Sequence, residues 1–383
     1  MNILVIPSWY PSGKDKLMGI YHKEFCEALA KRKNINVNML YIERERLNNP
    51  IKYLLMKKEY IINEKGYKTY IKRMLNVSKL NYDWQMKRYI KVLDKALQKY
   101  LKNNPKPDII HAMVTLPAGY AACKLGEKYN IPIVITEHSS YFKRFFEGED
   151  QKYGDFVLKH STFTTVSNFM AEYMKKYISV CEVLPNMVDT DIFMKKRKKI
   201  TELKLVTTSA LRQGKRIDDI FKALKILVET KNLNPKLTVI GDGFLENYYK
   251  NKCHELGMDK YVLFVGRKTK EEISKILLEN NIFVIASEKE TFCIPGIEAL
   301  ASGIPVVSTK CLGPEEYITD KCGKLVEVGN IKELADAIYD VYINIDKYDI
   351  KELRSIVQKY SNEFVIDKAI QIYQKVLEEK IVK

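Results

Sequence analysis

Short apolar runs of four to six residues alternate with amphipathic stretches along the chain. Residues 2–6 form one such run and predict a buried strand. A loop holding Pro11, Gly13 and Gly19 follows, then a helix with Phe25 and Leu29 on one face. The next strand is 36–41. Residues 84–103 predict a long basic helix, stopped by Asn103-Asn-Pro-Lys-Pro107. Beyond it the pattern gives strand 108–111, helix 117–129, strands 131–136 and 162–166, helix 168–177 and strand 181–184. Lys195-Lys-Arg-Lys-Lys199 then reads as a solvated linker. After it the alternation restarts. Strands are predicted at 203–208, 236–240, 261–265, 282–286 and 305–308, and helices at 216–231, 245–256, 270–280, 295–301 and 331–344.

Strands and helices in alternation imply parallel sheets covered on both faces. Two runs of this kind predict an α/β protein of two doubly wound, Rossmann-like domains facing across a cleft. Pro185, Asn186 and the charge cluster punctuate the chain between them. The expected division is 1–187 and 188–361, with a last helix, about 362–383, returning to the first domain. Open parallel sheets bind ligands at the carboxyl ends of their strands, so the chemistry is expected in the loops that follow strands.

Composition narrows the class. The chain has 383 residues, 46% hydrophobic and 29% charged, which excludes disordered, collagen-like and coiled-coil proteins. No run approaches the roughly 18 apolar residues of a membrane span. The opening apolar run is too short for a signal peptide and has no basic region before it, so a cytoplasmic location is expected. The seven cysteines are scattered without a C-x-x-C, which fits reduced thiols. The formal net charge of +16 is uneven: residues 1–106 hold 23 basic and 9 acidic side chains. Within them, 52–106 carries 15 basic and 4 acidic residues among Tyr53, Tyr60, Tyr67, Tyr70, Tyr82, Trp84 and Tyr89. Such a stretch suits a solvated face, an anionic membrane surface or, last, nucleic acid.

The densest chemistry lies in Glu290-Thr-Phe-Cys-Ile-Pro-Gly-Ile-Glu298. Glu290 falls in the loop after a buried strand, Pro295 suits a first helical turn, and Glu298 sits one turn further. The backbone N–H groups of Phe292, Cys293 and Ile294 precede or open that helix, where an anion can be bound. Paired carboxylates accept hydrogen bonds from sugar or ribose hydroxyls. The same spacing also fits two surface glutamates flanking a helix start. Arg212, Lys215 and Arg216 lie between a strand and a helix, as phosphate clamps do and as solvated basic loops also do. Gly241-Asp-Gly243 after a strand is a tight turn that only begins a dinucleotide fingerprint, since Glu246 holds the third glycine position. His138 follows a strand in Thr136-Glu-His138, where it can orient or deprotonate a hydroxyl or be structural. Gly19 lets backbone approach a phosphate. Asp189-Thr-Asp191 reads as a turn. No P-loop, H-E-x-x-H or G-x-S-x-G is present.

Together these segments resemble the retaining glycosyltransferases of family 4, which have the B-type glycosyltransferase fold. Glu290, Phe292, Glu298, Ala299, Ala301, Gly303, Pro305, Val306 and Val307 match the family pattern E-x-F-G-x-x-x-x-E-A-x-A-x-G-x-P-V-V, with Cys293 in place of its glycine. The first strand with its Gly19 loop, Thr136 with His138, the segment Pro185-Asn-Met-Val-Asp189 and the Gly241, Gly243 turn match as well, with Met187 replacing another usual glycine.

The resemblance implies roles. Lys215 would bind the donor diphosphate, and Arg212 would stand in for the arginine that Ala210 replaces. Glu298 would hold the nucleotide ribose. Glu290, with the backbone at Phe292, Cys293 and Ile294 and the Gly243 turn, would hold the donor sugar and phosphate. His138, with Gly19, would serve the acceptor side. Lys215, Glu290 and His138 would be the catalytic group. The implied activity is metal-independent transfer of a hexose-type sugar, with retention, from a UDP- or GDP-linked donor. The implied acceptor is a lipid-linked glycan in cell-surface polysaccharide synthesis. No cofactor beyond the donor is implied, and no nucleic-acid partner is expected. The basic first domain would rest on an anionic membrane face. The alternatives are a sugar-nucleotide epimerase of the same fold and a non-catalytic nucleic-acid binder.

Overall fold

The computed structural model describes residues 1–11, 18–46, 53, 55–76 and 81–381. Gly13, parts of the basic stretch (52, 54 and 77–80) and the last two residues lie outside it. The chain divides into two compact units, Met1–Pro185 with Val365–Lys383, and Asn186–Phe364.

In the first unit the elements run β1 (Asn2–Pro7), α1 (Ile20–Ala30), β2 (Asn36–Arg46), β3 (Glu59–Asn63), β4 (Lys68–Asn76), α2 (Tyr82–Leu101), β5 (Ile109–Met113), α3 (Tyr120–Tyr129), β6 (Ile133–Glu137), α4 (Gln151–Lys159), β7 (Thr162–Thr165), α5 (Asn168–Met174) and β8 (Glu182–Val183). The sheet order is β3-β4-β2-β1-β5-β6-β7-β8. Every pairing is parallel except β3 with β4. Ile3, Leu4, Val5 and Ile6 are buried on both sides, as a central strand of a covered sheet requires. The hairpin β3–β4 lies inside the stretch that the sequence marks only as basic and aromatic. Its lysines and tyrosines fit an edge, where charged side chains discourage further strand pairing.

The second unit contains α6 (Thr190–Phe193), β9 (Lys204–Thr208), α7 (Ile217–Lys231), β10 (Lys236–Ile240), α8 (Glu246–Glu255), β11 (Val262–Gly266), α9 (Lys270–Leu278), β12 (Ile282–Ile285), α10 (Ile294–Ala301), β13 (Val306–Thr309), β14 (Gly323–Val326), α11 (Ile331–Ile343) and α12 (Ile350–Val357). Its sheet is wholly parallel, in the order β11-β10-β9-β12-β13-β14. Leu205, Val239, Val284 and Val307 from the strands pack with Ile220, Leu224 and Leu227 of α7 in its core. A final helix, α13 (Asn362–Ile381), belongs to the first unit from Val365 onward.

Both sheets are doubly wound, as the alternation predicts. The strand order reverses beside β1 and β5 in the first and beside β9 and β12 in the second. The loops after these strands flank the two switch points, where such folds bind ligands.

Two local readings are corrected. Asp189 is no mere turn residue: its carboxylate caps α6 by accepting from the N–H groups of Asp191 and Ile192 at 3.0 and 3.1 Å. The cluster 195–199 is not wholly solvated either. Arg197 donates to the backbone carbonyls of Asn280, at 2.7 Å, and Gly303, so it ties this linker to the second unit's own body.

Candidate active site

In the second unit, the loops after neighbouring strands β9 and β12 meet. Lys215 Nζ pairs with Glu290 Oε1, and Ser287 Oγ donates to the same oxygen at 2.7 Å. Both side chains of the pair are largely sheltered, 14% and 16% exposed, so the ion pair is less screened than a surface one. The Glu290 backbone is pinned to the loop after β13. Its N–H donates to Cys311 O at 2.8 Å, and Gly313 N–H donates to its carbonyl at 3.0 Å.

From Glu290 the chain turns into α10. Cys293, at φ 68°, takes the left-handed conformation that glycine adopts without cost. Among the described residues, the N–H groups of Phe292, Cys293 and Ile294 have no hydrogen-bond acceptor. Three open donors at the start of a helix whose second residue is Pro295, beside a lysine, form an anion-binding arrangement. The charges of Glu290 and Lys215 both act on the Cys293 thiol, whose value burial pushes well up. The Phe292 ring itself points away from solvent. It is 1% exposed and packs edge-on to Tyr360 at 5.1 Å, leaving only its backbone to meet a ligand.

Glu298 is 4% exposed on α10, with Lys270 Nζ 3.8 Å away. A buried carboxylate with a lysine partner is not a surface glutamate, and Lys270 is a neighbour the sequence did not point to. The three cations after β9 separate. Arg216 is bound to Asp219 at 2.6 Å and Glu288 at 3.3 Å, at the start of α7. Lys215 faces Glu290. Arg212 is exposed and, among the described residues, has no carboxylate partner. Gly241 and Gly243 hold the loop after β10 against that after β9. A Cβ at Gly241 would lie 1.9 Å from Ser209 O, and one at Gly243 2.3 Å from Leu211 O. Leu211 N–H donates to Asp242 O at 2.8 Å across the same contact.

In the first unit, His138 is half-buried after β6. Its ring lies 4.7 Å from that of Tyr21 and 5.1 Å, edge-on, from that of His22. Both belong to the first turn of α1, which Gly19 opens at φ 75°. Gly19 has a packing reason as well, because a Cβ there would meet Trp9 O at 2.7 Å. The fold thus brings the Gly19 turn and His138 together.

Glu137 is the residue the sequence reading passed over. It is fully buried, and its carboxylate accepts from Thr115 N–H at 2.8 Å, Thr115 Oγ1 at 2.5 Å and Ser139 N–H at 2.6 Å, with the His138 N–H also acting on it. Burial raises its pKa, and these donors pull the other way. Glu137 therefore fastens the loop after β5 to the His138 loop. His111 is also wholly buried, with Nδ1 2.6 Å from Tyr373 Oη on α13 and Nε2 2.7 Å from Thr136 Oγ1. Burial lowers its pKa to about 3, and the His138 charge adds to the shift. Strand position is the signal that could have found them: Glu137 ends β6, and His111 is a polar residue in the middle of the apolar central strand β5.

Among the described residues, no three His, Cys, Asp or Glu side chains gather as a metal site requires, and no helix is long and apolar enough to cross a membrane.

Two family descriptions match the chain between them almost end to end: Glycosyltransferase Family 4 over residues 21–192, and Glycosyl transferases group 1 over 188–363. The chain belongs to glycosyltransferase family 4. A Bacillus subtilis (strain 168) protein named as a teichuronic acid biosynthesis glycosyltransferase, TuaC, is 24% identical over 359 residues, 88% of each chain. The N-acetyl-alpha-D-glucosaminyl L-malate synthase of Bacillus anthracis is 24% identical over 70% of this chain and 75% of its own. Among solved structures, sucrose-phosphate synthase from Thermosynechococcus elongatus superposes with a TM-score of 0.77 at 17% identity, covering 99% of this chain and 100% of that one. Anabaena Alr3699/HepE, solved with UDP, gives 0.71 at 16% identity over 98% and 100%. These likenesses place the family 4 chain in the B-type glycosyltransferase fold.

Proposed function

We propose that this glycosyltransferase moves a hexose-type sugar, with retention, from a UDP- or GDP-linked donor to a hydroxyl of a glycan acceptor. The acceptor is a lipid-linked precursor of a cell-surface polysaccharide, met at the anionic cytoplasmic face of a membrane by the basic first unit. One observation carries the reading: Lys215, Glu290 and the three open N–H groups at the start of α10 converge at the switch point of the second sheet. A diphosphate there exchanges the Lys215–Glu290 pair for its own charge. Lys215, Arg212 and the helix start then neutralise the leaving diphosphate with no metal ion or further cofactor. Freed from Lys215, Glu290 accepts from the donor sugar's hydroxyls, and Glu298 from the ribose. The solved Alr3699/HepE complex with UDP and glucose supports a donor of this class. His138, oriented by the Glu137-bound loop, faces the acceptor side. Attack comes from the same face as departure, and the leaving phosphate takes the acceptor proton, so no enzyme nucleophile is needed.

The test is thermal stabilisation by a panel of UDP- and GDP-sugars, followed by transfer assays with the stabilising donor. One donor is expected to raise the melting temperature of the wild type. Lys215→Ala is expected to weaken it at least tenfold, as loss of a charged hydrogen bond to phosphate would. Full transfer activity in a Lys215→Ala, Glu298→Ala double variant would overturn the assignment. An epimerised free sugar nucleotide, formed without acceptor, would replace transfer with epimerisation.

A further inference from the structure

The first unit has a second concentration of charge that neither sheet switch point uses. A shallow pocket lies at the carboxyl ends of β2 and β4 and against the start of α2. Arg44 and Arg88 line it, with Trp84, Tyr82, Met74 and Pro117 among their neighbours. Among the described residues, no Asp or Glu belongs to its lining.

The acids nearby are already engaged. Asp83 holds Lys152 at 2.7 Å and also Tyr153. Asp150 holds Arg144 at 3.0 Å. Glu43 and Glu45 face Arg73, at 2.5 and 3.7 Å. Arg44, by contrast, is exposed and has no ion-pair partner among the described residues. Residues 47–52 and 77–80, which adjoin the strand ends in sequence, contain no acidic residue at all. Arg88 donates to Leu75 O at 2.9 Å, and its guanidinium lies 5.5 Å from the centre of the Trp84 ring. That arrangement fixes the fork of Arg88 and leaves further N–H groups for a ligand. Trp84 and Tyr82 stay 46% and 38% exposed, an unusual outlay of aromatic surface beside two guanidinium groups.

We propose that this pocket is an anion subsite for a phosphate-bearing substrate: Arg44 and Arg88 take the phosphate, and Trp84 and Tyr82 take the apolar chain or ring attached to it. Guanidinium forks match phosphate oxygens bidentately, and exposed aromatics give the attached group a face to pack on. Pro117 connects the pocket to the loop after β5, which Glu137 fastens to the His138 loop. The subsite therefore belongs to the acceptor side of the reading above. That link rests on the proposed function, but binding itself does not.

Trp84 supplies the readout, because the chain has only two tryptophans, Trp9 and Trp84. In a Trp9→Phe, Lys215→Ala background the remaining indole reports on this pocket, and phosphate capture at the Lys215 site is weakened. The probes are inorganic pyrophosphate, geranyl pyrophosphate, and vesicles of pure phosphatidylcholine or with 30% phosphatidylglycerol. The expected result is saturable quenching by both soluble probes, tighter for geranyl pyrophosphate. Arg44→Gln and Arg88→Gln should each weaken both at least tenfold, while Tyr82→Ala should weaken only the geranyl compound. Circular dichroism and melting temperature check that each variant folds. Absence of quenching by either soluble probe, or quenching unchanged in both arginine variants, would overturn the subsite. Quenching by anionic vesicles alone would overturn it too and assign the pocket to a membrane surface. Absence of transfer by the wild-type chain from every UDP- and GDP-sugar tried, with probe binding intact, would count against the proposed function and leave the subsite standing.

Discussion

Cys293 holds a backbone conformation that most side chains avoid. A non-glycine residue in the left-handed region costs about 1–2 kcal/mol, yet here it begins the helix whose open N–H groups face Lys215 and Glu290. The strain persists because the turn is fixed from both ends. Glu290 is paired with the loop after β13, and the Cys293 carbonyl accepts from Tyr317 Oη at 3.1 Å. Where the family pattern has glycine, this chain puts a cysteine in the left-handed conformation that glycine adopts without cost. Replacement by glycine relieves that strain but adds about 0.7 kcal/mol of unfolded-chain entropy and loses the thiol's packing. Cys293→Gly is therefore expected to change stability by less than about 1 kcal/mol. Cys293→Val places a β-branched side chain at positive φ and is expected to cost about 2 kcal/mol. Chemical denaturation midpoints of the three chains check the order, and a valine variant as stable as wild type would show that the turn is not strained.

At the scale of elements, the second unit's site is a meeting of loops, and glycine sets how closely they meet. Gly243 sits where a side chain would strike the Leu211 carbonyl, one residue before Arg212. Gly243→Ala must push the two loops apart, an overpacking expected to cost about 1–3 kcal/mol. Because the displaced backbone carries Arg212 and leads to Lys215, donor affinity should fall more than the turnover of bound donor. A rise in KM with kcat nearly held checks this, and an unchanged KM would detach the turn from the donor. These contacts also explain what the sequence made legible. Periodicity was enough for the central strands, because they are buried on both faces and read as unbroken apolar runs. It missed β3, a five-residue edge strand whose Ile61 faces solvent, β4, whose outward positions carry Lys68, Tyr70 and Lys72, and β14, which is only four residues long. Motif spacing reached Lys215, Glu290 and Glu298, which lie in or just after strand-to-helix loops. It could not reach Lys270, whose partner Glu298 comes from another element, and it passed over Glu137, which strand position alone marks and whose Thr115 partner only the fold supplies.

At the scale of the molecule, the chain's last helix is tied to the first sheet through a neutral histidine. Tyr373 on α13 meets His111 in the core, and His22, also wholly buried, has no hydrogen-bond partner at either ring nitrogen among the described residues. Burial drives the pKa of both rings down, to about 3 for His111, and mutual repulsion with neighbouring histidines adds to it. An exposed histidine in the unfolded chain titrates near 6.5. Between these values the unfolded chain takes up protons that the folded core refuses, so linkage makes folding less favourable as pH falls. The stability these groups confer is whole above pH 6.5 and erodes below it, reaching its floor for His111 near pH 3. Carboxylates with ordinary or lowered values contribute mainly below pH 5, and Glu137, whose pKa burial raises, acts in the opposite sense, so an acid loss between pH 6.5 and 5 belongs to the histidines. Two units need not unfold together, so amide hydrogen exchange in β1, β5 and α13 is the proper measurement rather than a single melting curve. Protection there is expected to hold from pH 8 to 7, after correction for intrinsic exchange, and to fall from 6.5 to 5. His22→Phe fills the same apolar space without a titrating group, so it should keep protection at pH 7 and lessen the acid loss. A wild-type profile that is flat from pH 7 to 5 would mean that the buried rings do not govern the acid stability of this unit.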